Sequence, residues 1–229
     1  VGQFYSVNVD EAKPYNVYGG LQDNGVWTGS SQSMPGVGWH DNGEYPFKFI
    51  MGGDGMQVMV DTRDNATVYT GYQFGNYYRL NKENPGYDNG ITPRNNLGEP
   101  NYRFNWQTPL WLSKHNQDIL YFGSNHFHRS MNKGNDMKTL SADLTAADKK
   151  GDVPFNTITT IHESPIRFGL IYCGTDDGRV WMSKDAGYSF DRIDAGLPQG
   201  IYISRVQASA HSEGRVFVTL NGCRSDHFR

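Results

Sequence analysis

The stretches Val17-Tyr18-Gly19-Gly20, Val68-Tyr69-Thr70-Gly71, Leu120-Tyr121-Phe122-Gly123 and Ile171-Tyr172-Cys173-Gly174 share one signature: apolar residue, aromatic, variable residue, glycine. Their tyrosines, at 18, 69, 121 and 172, lie 51, 52 and 51 residues apart. A weaker fifth copy, Val216-Phe217-Val218-Thr219, follows 45 residues later. Self-similarity at a period of about 40–50 residues, carried by short alternating segments, marks stacked β units such as propeller blades. The expected fold is therefore all-β, a β-propeller, with the 229 residues forming one repeat array rather than two unrelated domains.

The fourth copy sets the phase for the others. Residues 156–162 alternate Ile158, Thr160 and His162 against Thr157, Thr159 and Ile161, the period-2 pattern of a first strand, A. After the turn signal Glu163-Ser164-Pro165, residues 168–174 form strand B, Asp177-Gly178 supplies a hairpin turn, and residues 179–183 form strand C. Equivalent A strands are expected near residues 3–9, 56–61, 104–113 and 201–210, and C strands near 26–29, 76–80 and 127–130. This phasing gives four four-stranded blades, at about 2–45, 46–100, 101–150 and 151–198, and an incomplete fifth at 199–229. A half blade leaves a sheet edge unpaired and does not close a ring. The chain is thus expected to be part of a propeller of about seven or more blades, completed by further blades or partner subunits. The alternative is a compact small propeller with a degraded last blade.

Strand C of the fourth copy runs into Ser183-Lys184-Asp185-Ala186-Gly187-Tyr188-Ser189-Phe190, which matches the Asp-box Ser-x-Asp-x-Gly-x-Ser/Thr-Trp/Phe. Its structural residues are Ser183, Asp185, Gly187, Ser189 and Phe190: the aspartate accepts turn amides, the glycine takes a conformation closed to other residues, and the aromatic anchors the hairpin. Ser130-Met131-Asn132-Lys133-Gly134-Asn135-Asp136-Met137 is a worn copy, keeping serine and glycine but lacking the aspartate and the aromatic, so a hairpin without the full box geometry is expected there. Together with Gln3-Phe4-Tyr5, Tyr18 to Gly25, Tyr102-Arg103-Phe104-Asn105-Trp106, Gly174 to Gly178 with Trp181, and Asn221-Gly222, the chain resembles the secreted BNR-repeat proteins related to the sortilin propeller and often labelled glycosyl hydrolases. In that family the run matching Ser225-Asp226-His227-Phe228-Arg229 leads on into another strand and Asp-box. The resemblance implies a β-propeller, export and commonly a bacterial envelope setting, but no particular reaction.

Composition narrows the partners. A net charge of −3 gives no basic face for nucleic acid, and no run of 18 apolar residues offers a membrane span. The start at Val1, with no basic-then-apolar leader, suits a processed secreted protein or a segment of a longer one, so a secreted, periplasmic or cell-surface location is expected. For Cys173 and Cys223, free thiols and a disulfide between adjacent repeats both stand open, the free buried thiol being the commoner state.

Four-stranded parity puts A–B and C–D turns on one rim, and B–C turns and D–A links on the other, the rim where a ligand is expected. That rim carries Gln22, Asp23 and Asn24, then Gln73, then Asn125 and His126, then Asp176 and Asp177. The long link at residues 81–102 brings Tyr87, Arg94, Asn96, Glu99, Tyr102 and Arg103, with Trp106 beside it, as a platform for a sugar ring or an extended peptide. Asp23 and Asp54 are the candidate catalytic carboxylates, since glycoside hydrolysis needs two acids flanking one bond, although each is also what a hairpin turn requires. The arginines show no sialidase-like arrangement. His126 and His128 share a strand face without a third ligand at diagnostic spacing, so no metal site is assigned. No cofactor is expected, with structural calcium held by aspartates and carbonyls as the one option. The leading expectation is an exported recognition or scaffold propeller binding a polypeptide or glycan. The alternatives are a glycoside hydrolase and a structural subunit of an envelope complex.

Overall fold

The computed structural model describes residues 2–34, 36–86, 89–148 and 155–223. The chain divides into two compact units, Val1–Ile91 and Thr92–Arg229. The first contains β1 (Phe4–Val9), β2 (Asn16–Leu21), β3 (Gly25–Ser30), the single-turn α1 (Gly38–Asp41), β4 (Phe47–Met51), β5 (Val58–Val60), β6 (Thr67–Tyr72) and β7 (Asn76–Asn81). The second contains β8 (Leu110–Leu112), β9 (Leu120–Gly123), β10 (Phe127–Ser130), β11 (Lys138–Thr139), β12 (Ile158–Glu163), β13 (Ile171–Thr175), β14 (Val180–Ser183), β15 (Asp191–Arg192), β16 (Tyr202–Ala208) and β17 (Val216–Asn221). All strands pair antiparallel in chain order, giving the sheets β1–β4, β5–β7, β8–β11, β12–β15 and β16–β17. The fold is all-β, built from the four-stranded meanders that the repeat predicts.

The signature supplies the core. Tyr18, Tyr69, Tyr121 and Tyr172 sit on the second strand of their sheets and are buried. Removing about 150–250 Å² of each aromatic from water is worth on the order of 4–6 kcal/mol before the entropy of ordering. Two of the buried hydroxyls meet carboxylates, Tyr18 donating to Asp10 Oδ2 at 2.9 Å and Tyr121 to Glu163 Oε1 at 2.7 Å, whereas that of Tyr172 has no hydrogen-bond partner among the described residues. The signature glycines admit the next sheet. A Cβ on Gly20 would lie 2.6 Å from the Gly55 carbonyl carbon, one on Gly123 3.1 Å from Ile158 Cβ, and one on Gly174 3.0 Å from Ile203 Cβ. At each of these junctions the chain just before or within the following first strand approaches where no side chain fits.

Three expectations need correction. β4 pairs with β3 through Val26–Met51, Trp27–Phe49, Thr28–Lys48 and Gly29–Phe47, so the first blade extends past residue 45. The link at 81–102 is not one piece: Tyr78 bridges Gly90, Arg79 N–H donates to Asn89 O and Ile91 N–H to Tyr77 O, so residues 89–91 form the fourth edge of the second sheet. The third first-strand begins only at Leu110, because Asn105 holds a turn, its Oδ1 accepting Gln107 N–H and its carbonyl accepting Thr108 Oγ1–H. The cysteines are free: Cys173 lies buried in β13 and Cys223 is exposed beyond β17. Tyr87 and residues 225–229 lie outside the described residues.

Side-chain bonds from residues 183–189 close the β14–β15 turn. Ser183 Oγ–H donates to Asp185 Oδ1 at 2.8 Å and accepts Gly187 N–H at 2.8 Å, while Asp185 accepts Ser189 N–H at 2.9 Å and its hydroxyl at 2.6 Å. The Ser189 hydroxyl leads the bonds that hold the Asp185 carboxyl below the usual aspartate range. Gly187 has φ +97° and lies against Phe127, whose ring also packs on Phe190 at 5.2 Å. In the worn copy the carboxylate has moved four positions along: Asp136 accepts the Ser130 hydroxyl and the amides of Met131 and Asn132, both at 3.0 Å. Ser130 Oγ still accepts Gly134 N–H at 2.8 Å.

Candidate functional site

The second unit contains a cavity of about 850 Å³ on the side of the B–C turns and D–A links. Three segments frame it: residues 94–103, the β9–β10 turn at Asn125 and His126, and residues 137–143 around β11. The first segment is shaped by its own side chains. Glu99 accepts the backbone and side-chain N–H groups of Asn96 at 3.1 Å, Asn95 Nδ2 donates to Glu99 O at 2.9 Å, and Gly98 takes φ +88°. The bonds from Asn96 hold the Glu99 carboxyl below its ordinary range.

The cavity floor is a closed polar network. Arg103 N–H donates to Asn125 Oδ1 at 2.9 Å, Asn125 Nδ2 donates to Asp143 Oδ2 at 3.0 Å, and Arg103 Nη2 meets the same oxygen at 2.6 Å. Thr145 adds two donors to Asp143 Oδ1, its amide at 2.9 Å and its hydroxyl at 2.6 Å. Burial is the largest influence on Asp143 and opposes its charge, but the bonds from Thr145, Arg103 and Asn125 together outweigh it and keep the carboxyl ionised below the usual range. Arg103 Nε also donates to Asn156 O at 3.2 Å.

One wall is aromatic. Tyr102 packs edge-on to His126 and His128, at 5.4 and 4.8 Å between ring centres, and its hydroxyl bonds Thr139 Oγ1 at 2.8 Å. His126 Nδ1 lies 3.0 Å from Ser141 O. A carbonyl only accepts, so Nδ1 carries the proton and Nε2 is the basic nitrogen. His128 is buried between Ser124 Oγ and Thr139 Oγ1, and burial pushes its pKa down to about 3. Among the described residues, no three His, Cys, Asp or Glu side chains are grouped to hold a metal ion.

Of the residues expected on this rim, Tyr102, Arg103, Asn125 and His126 come together here, while Trp106 does not line the cavity. Asp176 and Asp177 are buried and committed to neighbouring segments. Asp176 accepts Thr157 N–H at 3.0 Å and its hydroxyl at 2.8 Å; Asp177 accepts Ala146 N–H at 2.5 Å and the Thr175 hydroxyl. Burial raises the Asp176 pKa. Gln22, Asp23, Asn24, Asp54 and Gln73 belong to the first unit. There Asp54 is buried and its Oδ1 accepts the backbone N–H of Asp23 at 2.8 Å, while Asp23 is exposed with φ 58°. Asp54 therefore holds the β2–β3 turn. Asn24 Nδ2 donates to Gln22 O at 2.8 Å in the same turn. Gln73 Oε1 is buried without a hydrogen-bond partner among the described residues. The sequence reading missed Asp143, Lys138, Thr139 and Ser141, which the strand β11 and the link after it bring to the cavity.

Comparison with family models and with curated proteins finds no match. Solved structures do match. The extracellular domain described as that of a one component system from B. thetaiotaomicron has a TM-score of 0.58 at 16% identity, over 94% of this chain and 26% of its own. The GH74 xyloglucanase from Xanthomonas campestris gives 0.58 at 18% identity, over 96% of this chain and 34% of its own. The Swd1 β-propeller domain of Myceliophteria thermophila gives 0.61 at 12% identity, over 95% and 62%. At these identities the likeness shows the fold, a partial β-propeller of four-stranded blades. The chain spans between about a quarter and three fifths of the length of these three structures. No helix among the described residues is long and apolar enough to cross a membrane.

Proposed function

We propose that the chain is the recognition part of an exported propeller of the BNR-repeat type and binds a glycan in the cavity between residues 94–103, Asn125–His126 and 137–143. The observation that carries this reading is the pre-organised polar floor, Arg103–Asn125–Asp143, beneath the open wall of Tyr102 and His126. Planar polar side chains with a neighbouring aromatic suit sugar hydroxyls and ring faces, and groups already bonded to one another cost little to order when a ligand arrives. The formed Asp-box supports the repeat type, and an extracellular domain among the structural neighbours is consistent with export.

Recognition fits the charges of the site better than hydrolysis does. Glycoside cleavage asks one carboxyl to stay protonated as general acid, with its pKa raised. The two acids lining the cavity, Glu99 and Asp143, are both held below their ordinary range, and Asp54 is engaged by a turn amide. The test is a glycan array and a peptide library probed with the whole chain, followed by titration of the best ligand against His126→Ala and Arg94→Ala. Glycan retention that each variant weakens about tenfold, with thermal unfolding unchanged, supports the proposal. Binding of peptides alone, indifference to both substitutions, or cleavage of a bound glycan would refute it.

A further inference from the structure

The polar groups around the cavity of the second unit are unevenly engaged. Its acceptors are committed. Asp143 takes two donors on each carboxylate oxygen, Glu99 takes N–H groups of Asn96 on both of its own, and Asn125 Oδ1 takes Arg103 N–H. Its donors are not. Arg94 lines the cavity, is exposed, and makes no ion pair or hydrogen bond among the described residues. A guanidinium donates and never accepts. The lining carries Arg94, Arg103 and Lys138 against Glu99 and Asp143, a positive balance in a chain whose net charge is −3.

Tyr102 supplies a second donor. It ends a hydrogen-bonded chain in which Ser124 Oγ lies 2.7 Å from His128 Nε2, His128 Nδ1 lies 2.9 Å from Thr139 Oγ1, and Thr139 Oγ1 lies 2.8 Å from the Tyr102 hydroxyl. Buried His128 is neutral, so one ring nitrogen accepts while the other donates. The competing acceptor for the Ser124 hydroxyl, His126 O, is farther away at 3.3 Å and already accepts Ser124 N–H at 2.9 Å. The chain therefore runs outward, from serine to imidazole to threonine to the tyrosine oxygen, and leaves the Tyr102 O–H for an acceptor on the ligand.

We infer that the saccharide taken by this cavity is acidic, its carboxylate or sulfate bound by Arg94 and the Tyr102 hydroxyl. This narrows the glycan reading and rests on it. The guanidinium fork matches the paired oxygens of either anionic group and is stronger for their charge. A neutral sugar, whose hydroxyls donate as well as accept, meets carboxylate oxygens that are already bonded.

The experiment titrates the whole chain with matched pairs: galacturonate oligomers beside the same oligomers with their carboxyls reduced to alcohols, and chondroitin sulfate oligosaccharides beside their desulfated forms. In at least one pair the form with the extra anionic group should bind about tenfold or more tightly than its twin, and the preference should shrink as salt rises from about 0.05 to about 0.5 M. The pair that shows it tells carboxylate from sulfate. Arg94→Ala should bring the twins within about twofold of each other, Arg94→Lys should keep part of the preference, and Tyr102→Phe should weaken the acidic form about three- to tenfold. Lys114→Ala removes the same charge from the β8–β9 turn, on the other rim, and should leave the preference intact. Equal binding of the twins, or a preference that Lys114→Ala lowers as much as Arg94→Ala does, would overturn the inference and leave the glycan reading standing. Binding of peptides with no glycan retained would overturn both.

Discussion

Gly174→Ala tests the physical meaning of the repeat signature. Gly174 does not sit at positive φ, so the added methyl strains no backbone, and the substitution isolates the approach of the next sheet. Its Cβ would lie 2.9 Å from Thr160 Cγ2 and 3.0 Å from Ile203 Cβ, with Ile203 Cγ2 closer still, against about 3.5–4.0 Å for unstrained carbon contacts. Ile203 is fully buried, so its side chain cannot move aside into solvent. Overpacking of this sort costs about 1–3 kcal/mol, offset by about 0.5–1 kcal/mol because alanine loses less entropy than glycine in a strand. A net loss of roughly 0.5–2 kcal/mol is expected. Ile203→Ala alone should cost about 2–5 kcal/mol by leaving a cavity. In the double variant the methyl added at position 174 occupies part of that cavity, so the combined cost should fall short of the sum by about 1–2 kcal/mol. Denaturant unfolding followed by both tryptophan fluorescence and far-ultraviolet dichroism measures all three. Additivity within about 0.5 kcal/mol, or a stabilising Gly174→Ala, would show that the glycine is not there to admit Ile203.

Three other outcomes are expected. Asp136→Ala should destabilise by about 1.5–3 kcal/mol through the loss of its three acceptor bonds, while Asn132→Ala should stay within about 0.5 kcal/mol; the reverse order would undo the idea that the box carboxylate has moved. Burial pushes His128 down to about 3 and His162 down to about 4, whereas an unfolded imidazole titrates near 6.5. Between those values the unfolded chain binds more protons, so stability should fall as pH drops from about 6.5 towards 4, by up to roughly 1.4 kcal/mol per pH unit for each histidine, and His162→Gln should flatten the slope. A midpoint of unfolding that is level from about pH 7 to 5 would contradict this. Finally, a thiol reagent should titrate Cys223 at once and Cys173 only on unfolding, because burial also raises the Cys173 pKa; failure of both to react without reductant would point to a disulfide.

The parts of the fold legible in the sequence are those that every repeat must solve in the same way. The four full-signature second strands each bury a tyrosine, three of the four signature glycines admit the next sheet, and three of the B–C turns use positive φ, at Asp23, Phe74 and Gly178. The fourth strands were not legible. β11 and β15 are two residues long and residues 89–91 are joined by a single bridge, too short to carry a periodic pattern. β4 does alternate, as Phe-Lys-Phe-Ile-Met, but the connection before it, with α1 inside, is longer than a hairpin, and a fixed period assigns it to the wrong sheet.

The candidate site divides along a similar line. Strand parity brought Tyr102, Arg103, Asn125 and His126 to one rim, because parity depends only on counting strands. Asp143 escaped that count, since its value comes from a link folding back onto Arg103, 40 residues earlier. Asp176 and Asp177 show the opposite failure: an acidic pair in a turn reads the same whether its carboxylates face solvent or bond Thr157, Thr175 and Ala146. Asp10, Asp54, Asp136 and Asp185 repeat the lesson, each accepting backbone amides that a turn would otherwise leave bare. In a stack of sheets joined by tight turns, aspartate is the common staple, and its presence on the right rim is weak evidence of chemistry. The discriminating feature is a polar group that lines a cavity without being needed by a turn. His126 Nε2 meets that condition, because Ser141 engages only the other ring nitrogen, and it is the atom whose loss should separate ligand binding from folding.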